Sequence, residues 1–267
     1  MDWQTALISM YVTIVDIWNK ELFLLIEKNS NYESKLTDEE VVVIFLNGII
    51  RGRRDLKAIF NYTKSHMQEW FPHLIRGYED FVYRINALAE IFPALIECLQ
   101  KLHPQIRVDV ASKGYCASRA EYYCGVKVHL VGGRRIGALP LIETAQISPA
   151  NIHDLVFFRG NIAHLYCNVP FYADKAYIDD DATGVVKERG LKMIIPNKKP
   201  KGIELNIFEA MDSADISRRR QPIESLINWI NEKTGIQIAS KVRSTKGLNL
   251  HVFGRLAAAV MTMIFNF

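Results

Sequence analysis

The sequence predicts an α/β chain, in which a mixed sheet with flanking helices is preceded by an all-helical N-terminal domain. Three observations predict it. Apolar residues recur at helical spacing through the first hundred positions. After Pro104 the pattern switches to alternation, with Ile106, Val108 and Val110 on one face and Arg107 and Asp109 on the other. Beyond Pro149, strand-like and helix-like segments alternate and lead into a long helix, as in a layered α/β domain. The expected division is therefore residues 1–103, helical, and residues 104–267, sheet-containing.

In the N-terminal region, Leu22, Leu25 and Ile26 mark one helical segment, and Val41, Val42, Ile44, Phe45 and Ile49 mark the next. Leu36-Thr-Asp-Glu-Glu40 is a helix start, because Thr37 can cap and Glu40 stands three residues on, as a capping box requires. Arg51-Gly-Arg-Arg54 marks that helix's end or a turn. Phe71-Pro72 breaks the following helix, and Tyr78–Leu102 reads as a further one, kinked at Pro93.

In the second region the first strand spans Ile106–Val110 and the second Gly125–Val131. Gly132-Gly133 reads as a hairpin turn into a third strand at Ile136–Thr144. A helix over Pro149–Phe158, a strand over Val169–Ala173, a short helix over Asp181–Arg189 and a fifth strand over Leu191–Ile195 follow. Pro222 suits the first turn of a helix that buries Ile223, Leu226, Ile227 and Ile230 and turns Glu224, Asn228 and Asn231 to another face. Leu256–Phe265 reads as a closing core helix. This order of elements is of ribonuclease-H type.

Bulk properties narrow the function. At 267 residues, 49% apolar and 23% charged, the chain has ordinary globular composition. No uninterrupted apolar run approaches the roughly 18–20 residues of a membrane helix, and the start carries an acid where a secretory signal carries basic residues, so no membrane partner is expected and a cytoplasmic location is. Cys98, Cys116, Cys124 and Cys167 form no C-x-x-C pair and the histidines no ligand array, which argues against structural zinc. Charge is unevenly spread: residues 1–100 hold 10 Lys and Arg against 14 Asp and Glu, whereas residues 183–267 hold 14 against 7. The basic end attracts a polyanion such as DNA.

Three acids stand out. Asp174 follows the strand Val169–Ala173, Asp109 lies in the first strand, and Glu224 lies on the helix after Pro222. Carboxylates suit magnesium or manganese, and a pair of such ions serves phosphoryl transfer by activating the attacking oxygen and stabilising the leaving one. Arg220, four residues before Glu224, can steer its carboxylate or hold a DNA phosphate. Lys127 and His129 share one face of the second strand, where a histidine is ordinarily a hydrogen-bonded packing residue. They stand beside Lys175, Arg220 and Lys246 as candidate DNA contacts.

Several segments carry a family likeness: Gly77-Tyr-Glu-Asp-Phe-Val-Tyr-Arg-Ile-Asn86, Lys113-Gly-Tyr-Cys-Ala-Ser-Arg119, Tyr122-Tyr-Cys-Gly-Val-Lys-Val-His129, Tyr172-Ala-Asp-Lys-Ala-Tyr177, and Ile223-Glu224 with Ser244-Thr-Lys-Gly247. On these segments the chain resembles, over nearly its whole length, the DDE transposases of bacterial insertion sequences. The resemblance implies a ribonuclease-H-like catalytic domain in which Asp174 and Glu224 are the second and third acids. It further implies magnesium-dependent cleavage and strand transfer at terminal inverted repeats, joining to target DNA, and a homodimer on DNA whose helical region serves end recognition or dimerisation. Relatives carry Asp-Ser-x-Pro at the first acid, and no such segment occurs here. Either Asp109 is the first ligand on a shortened connection, or a deletion removed the family's aspartate and Asp109 is its neighbour. The Tyr–Arg–Glu–Lys signature of many relatives is also broken, since Ser217 and Asn231 replace its tyrosine and lysine around Arg220 and Glu224. Two other readings fit the same acids: a defective transposase remnant that binds DNA without cutting, and an unrelated ribonuclease-H-like nuclease.

Overall fold

The computed structural model describes residues 2–25, 35–74, 77–101, 108–112, 126–150, 152–174, 177, 185–197, 206–238, 242 and 244–265. The chain divides into two units, residues 1–104 with 228–267, and residues 105–227. The last forty residues, expected within the second domain, thus belong with the N-terminal helices. The closing helix is apolar on nearly every side and is therefore buried, and helices of the N-terminal region are what bury it.

The first unit begins with α1 (Trp3–Lys20), which Asp2 caps by accepting the backbone N–H groups of Gln4 and Thr5. A short 3₁₀ turn over Leu22–Leu25 follows, and Ile26 lies outside the described residues. Helix α2 (Asp38–Ile50) starts at the Thr37–Glu40 capping box, both halves of which are formed. It stops at Arg51, where Gly52 takes a φ of 76° and the N–H groups of Gly52 and Arg53 donate to the carbonyls of Ile49 and Gly48. Helix α3 (Leu56–His66) is capped by Asp55. The segment expected as one kinked helix is two, α4 (Tyr78–Ala87) and α5 (Ile91–Lys101). Pro93 falls in the first turn of α5, where its missing N–H leaves no helical bond unmade, so it starts a helix instead of bending one.

The second unit holds a five-stranded mixed sheet in the order β3-β2-β1-β4-β5. Strand β1 (Val108–Ser112) runs antiparallel to β2 (Val126–Gly133), and β2 antiparallel to β3 (Leu141–Pro149). Gly132 and Gly133 are part of β2 rather than a hairpin turn: the register shifts at Val131/Gly132 in a bulge, and the turn comes later, through Gly137 at a φ of 70°. Ile136, expected in the third strand, is fully exposed in that turn. After β3 the expected helix shrinks to α6 (Asp154–Phe157), continued by a π turn over Phe158–Ile162 and a 3₁₀ turn over Ala163–Leu165. Strand β4 (Pro170–Tyr172) is parallel to β1, and β5 (Lys192–Ile194), which follows α7 (Val185–Glu188), is parallel to β4. Residues 181–184 of the expected short helix lie outside the described residues.

Helix α8 (Ile207–Thr234) is far longer than expected, and Pro222 lies inside it instead of at its start. The true start is a second reciprocal box: Glu209 N–H donates to Asn206 Oδ1 at 2.8 Å, and Asn206 N–H donates to Glu209 Oε2 at 3.0 Å. Helix α9 (Thr245–Phe265) closes the chain, buried at Leu250 and from Val252 through Met261. It is long and apolar enough to cross a membrane, but it packs against α2 and α5 as a core helix. Gly254 makes that packing close: a Cβ there would lie 2.5 Å from the Phe45 ring.

Candidate active site

Strand β1 sits at the centre of the sheet, and its parallel register with β4 sets Asp109 opposite Tyr172. Asp174 comes two residues later, just beyond the end of β4, where the Ala173 N–H still donates to the Ile194 carbonyl at 3.1 Å. Strand periodicity gives Tyr172 and Asp174 one parity and Phe171 and Ala173 the other. The second parity is core. Phe171 and Ala173 are fully buried among Phe158, Ile162, Tyr177 and Leu191, with the Phe158 ring edge-on to Phe171 at 5.2 Å.

Tyr172 turns the other way, toward α8. Its hydroxyl accepts a long hydrogen bond of 3.4 Å from Arg219 Nη1, and the Arg219 guanidinium lies 5.8 Å from the ring centre. Asp215, one turn earlier, holds the Arg219 Nε at 2.7 Å. Arg219 stands five residues before Glu224, so the same helix that touches β4 through Tyr172 also carries Glu224. Carboxyl ends of parallel strands in open α/β sheets are where ligands bind, and Asp174 lies at such an end.

Glu224 is more than half exposed and meets Arg220 across one helical turn at 3.4 Å, a weak pair that leaves the carboxylate able to turn to another cation. Arg220 is mostly buried, and its Nε is buried with no hydrogen-bond partner among the described residues. Ile223, Leu226 and Ile230 are buried as expected from their spacing, whereas Ile227, expected with them, is only partly buried. Asp174 is half-buried, and its carbonyl accepts the Tyr177 N–H at 3.0 Å.

The remaining candidates separate. Lys127 is buried, with Nζ donating to the Ile152 carbonyl at 2.7 Å and to Asp154 Oδ1 at 3.0 Å. His129 is fully buried, hydrogen-bonded to Ser148 Oγ at 2.7 Å and stacked on Phe157 at 4.0 Å. Burial, with the Lys127 charge adding to it and Asp154 opposing, lowers the His129 pKa to about 4, so its imidazole is neutral at physiological pH. Both side chains are thus committed inside the unit. Lys246 is exposed in the first turn of α9, in the other unit, and Lys175 lies outside the described residues. The sequence alone gives Tyr172 and Arg219 no role. The signal was there in their spacing, Tyr172 two before one acid and Arg219 five before another.

Among the described side chains, to which that of Asp109 does not belong, no group of three or more His, Cys, Asp and Glu gathers to hold a metal. The backbone register sets Asp109 on the central strand opposite Tyr172, Asp174 follows the end of the parallel neighbour β4, and Glu224 lies on the helix whose Arg219 meets Tyr172. Such hard oxygen donors suit magnesium or manganese.

A family model described as a transposase DDE domain matches residues 100–261, a span that includes Asp109, Asp174 and Glu224. No curated protein and no solved structure compared with the chain matches it.

Proposed function

The chain belongs to the transposase DDE-domain family, and from that premise we propose that it is a cytoplasmic transposase that cleaves the ends of an insertion sequence and joins them to target DNA. Asp109, Asp174 and Glu224 form the acid set, and Asp109 serves as the first member despite the missing Asp-Ser-x-Pro. The observation that carries this is the parallel pairing of β1 with β4, which sets Asp109 opposite Tyr172 and two residues from the register of Asp174. The strand order β3-β2-β1-β4-β5, with β2 antiparallel and β4 and β5 parallel to the centre, supports a ribonuclease-H-like sheet.

The chain's own residues do the following. The Tyr172–Arg219 contact holds α8 against the strand that delivers Asp174, so Glu224 keeps its place relative to that strand. Arg220, whose Nη2 meets Glu224 only at 3.4 Å, binds a DNA phosphate with that end of its guanidinium while releasing Glu224 toward the acid set. Asp109, Asp174 and Glu224 would hold magnesium or manganese, which would supply Lewis-acid stabilisation of the attacking and leaving oxygens. Water first attacks the phosphodiester at the element's end, and the freed 3′ hydroxyl then attacks target DNA in line. Two ends must be processed together, which calls for a homodimer on DNA.

A second reading, a remnant that binds DNA without cutting, rests on the lost Asp-Ser-x-Pro segment. A strand-transfer assay with terminal-repeat DNA and magnesium separates the readings. Joined products support the transposase, retention without cleavage supports the remnant, and cutting that ignores the repeats supports an unrelated nuclease.

A further inference from the structure

Residues four apart share one face of a helix, and in α9 such a pair is His251 and Arg255. Arg255 is buried, an uncommon place for a guanidinium, and each edge of it is used. Its Nη1 donates to the Thr234 carbonyl at the end of α8, its Nη2 to the Arg54 carbonyl in the α2–α3 turn, and its Nε to His251 Nδ1 at 3.3 Å. His251 in turn meets the Ile236 carbonyl through Nε2 at 2.9 Å. One pair of side chains therefore ties together three segments of the first unit: α9, the end of α8 with residues 235–238 beyond it, and the α2–α3 turn. Gly235, at a φ of 65°, lets the chain press on Arg54, since a Cβ there would lie 3.3 Å from Arg54 Cδ.

These partners fix the tautomer of the imidazole. A carbonyl only accepts, so Nε2 carries the hydrogen, and the Arg255 Nε–H only donates, so Nδ1 keeps its lone pair. The neutral ring alone satisfies both. A proton on Nδ1 would turn that acceptor into a donor facing a donor, and would set a second cation against a buried one. Neighbouring charge offers little relief. Among the described residues Arg255 is the one charge that bears on His251, and Arg54 and Asp55, of opposite sign, bear on Arg255. Helices α1, α2, α4 and α5 also pack on α9 and bring no charge to His251. Asp55 is committed as the α3 cap, its carboxylate accepting the Ala58 N–H at 2.8 Å.

From this geometry we infer that His251 is a proton-operated latch: neutral, it holds Arg255 across the end of α8 and the α2–α3 turn, and protonated it lets both go. The latch lies within the first unit and is independent of the reaction the chain performs. Burial and then the Arg255 charge lower the His251 pKa, against the Ile236 bond, which raises it. The sign of the pH dependence follows. The unfolded chain takes up the proton near the usual histidine value of about 6.5, and the folded chain only at lower pH. Stability from the latch is therefore full above the unfolded value and is lost as pH falls from there through the folded one.

The test compares the full wild-type chain with His251→Gln, whose amide can donate to the Ile236 carbonyl and accept from Arg255 but cannot titrate. The amides of Gly235, Gln237 and Ile238 are all hydrogen-bonded just beyond α8. In hydrogen exchange normalised for intrinsic rates, they lose protection between about pH 7.5 and about pH 5.5 in the wild type and keep it in His251→Gln, while α5 amides hold in both. Urea unfolding over the same range weakens the wild-type folding equilibrium by up to about tenfold more than that of the variant. His129, buried and neutral in both proteins, cancels from that comparison. Equal pH sensitivity in the two proteins overturns the latch. So does a wild-type His251 whose ring-nitrogen chemical shifts at neutral pH place the hydrogen on Nδ1, a reading that decides the matter even if His251→Gln fails to fold.

Discussion

The two long C-terminal helices make opposite uses of similar lengths of chain. Helix α9 is buried on nearly all sides from Leu250 to Met261 and carries no candidate catalytic residue there. Helix α8 buries only a stripe, Ile223, Leu226, Ile230 and Thr234, and leaves Ile207, Phe208 and Met211 exposed at its start. It carries Arg219, Arg220 and Glu224. The lesson is that one helix stabilises a unit and the other presents chemistry to its surroundings, so substitutions in each should fail in different assays.

The largest effect should come from α8 chemistry. Glu224→Gln, in a side chain more than half exposed, should reduce strand transfer by on the order of 10³-fold, the loss of several kcal/mol of charge stabilisation. Its melting temperature should stay at the wild-type value. A parallel loss of stability would erase the contrast between the helices.

In α9 the expected effect is on folding. Arg255 is buried, its pKa lowered to about 10 by burial and by the Arg54 charge, and it donates to the backbone carbonyls of Thr234 and Arg54. Arg255→Met should cost about 2–4 kcal/mol by leaving those acceptors unpaired, read from urea unfolding. Next in size is Pro222→Ala. An interior proline forgoes a helical bond, so alanine should stabilise the protein by about 1–3 kcal/mol, whereas a proline in a first turn would give no gain. The smallest effect belongs to the contact between α8 and β4. Arg219→Ala and Tyr172→Phe should each lower strand transfer by about tenfold, near 1.4 kcal/mol, and a double substitution should lose little more than either single one.

What was legible in the sequence was local. Thr37 and Glu40 announced α2, Arg51-Gly52 its end, and the alternation of Val108 and Val110 placed β1 to within two residues. Ile223, Leu226 and Ile230 showed the buried stripe of α8. Misplacements arose where two local rules competed. Pro222 reads as a helix start although Asn206 and Glu209 form the real box sixteen residues earlier, and Gly132-Gly133 mimics a turn while serving as a bulge. The rest depended on distance along the chain. His129 is the hydrogen-bonded packing residue that its place on a strand ordinarily implies, but its partner Ser148 lies 19 residues away and the Asp154 that meets Lys127 lies 27 away, so neither partner is named by alternation. Nor could the return of α9 to the N-terminal helices, since an apolar helix does not name its partner. At the candidate site, residue types were readable from the family likeness, but the register of Asp109 with Tyr172 required the sheet.

The central claim is that Asp109, Asp174 and Glu224 hold metal jointly, and calorimetric titration of manganese into the full chain tests it most directly. Asp109→Asn, Asp174→Asn and Glu224→Gln should each weaken binding strongly in a protein that unfolds at the wild-type temperature. Wild-type manganese affinity in the Asp109→Asn protein would contradict the account, because the central strand would then contribute nothing to the site.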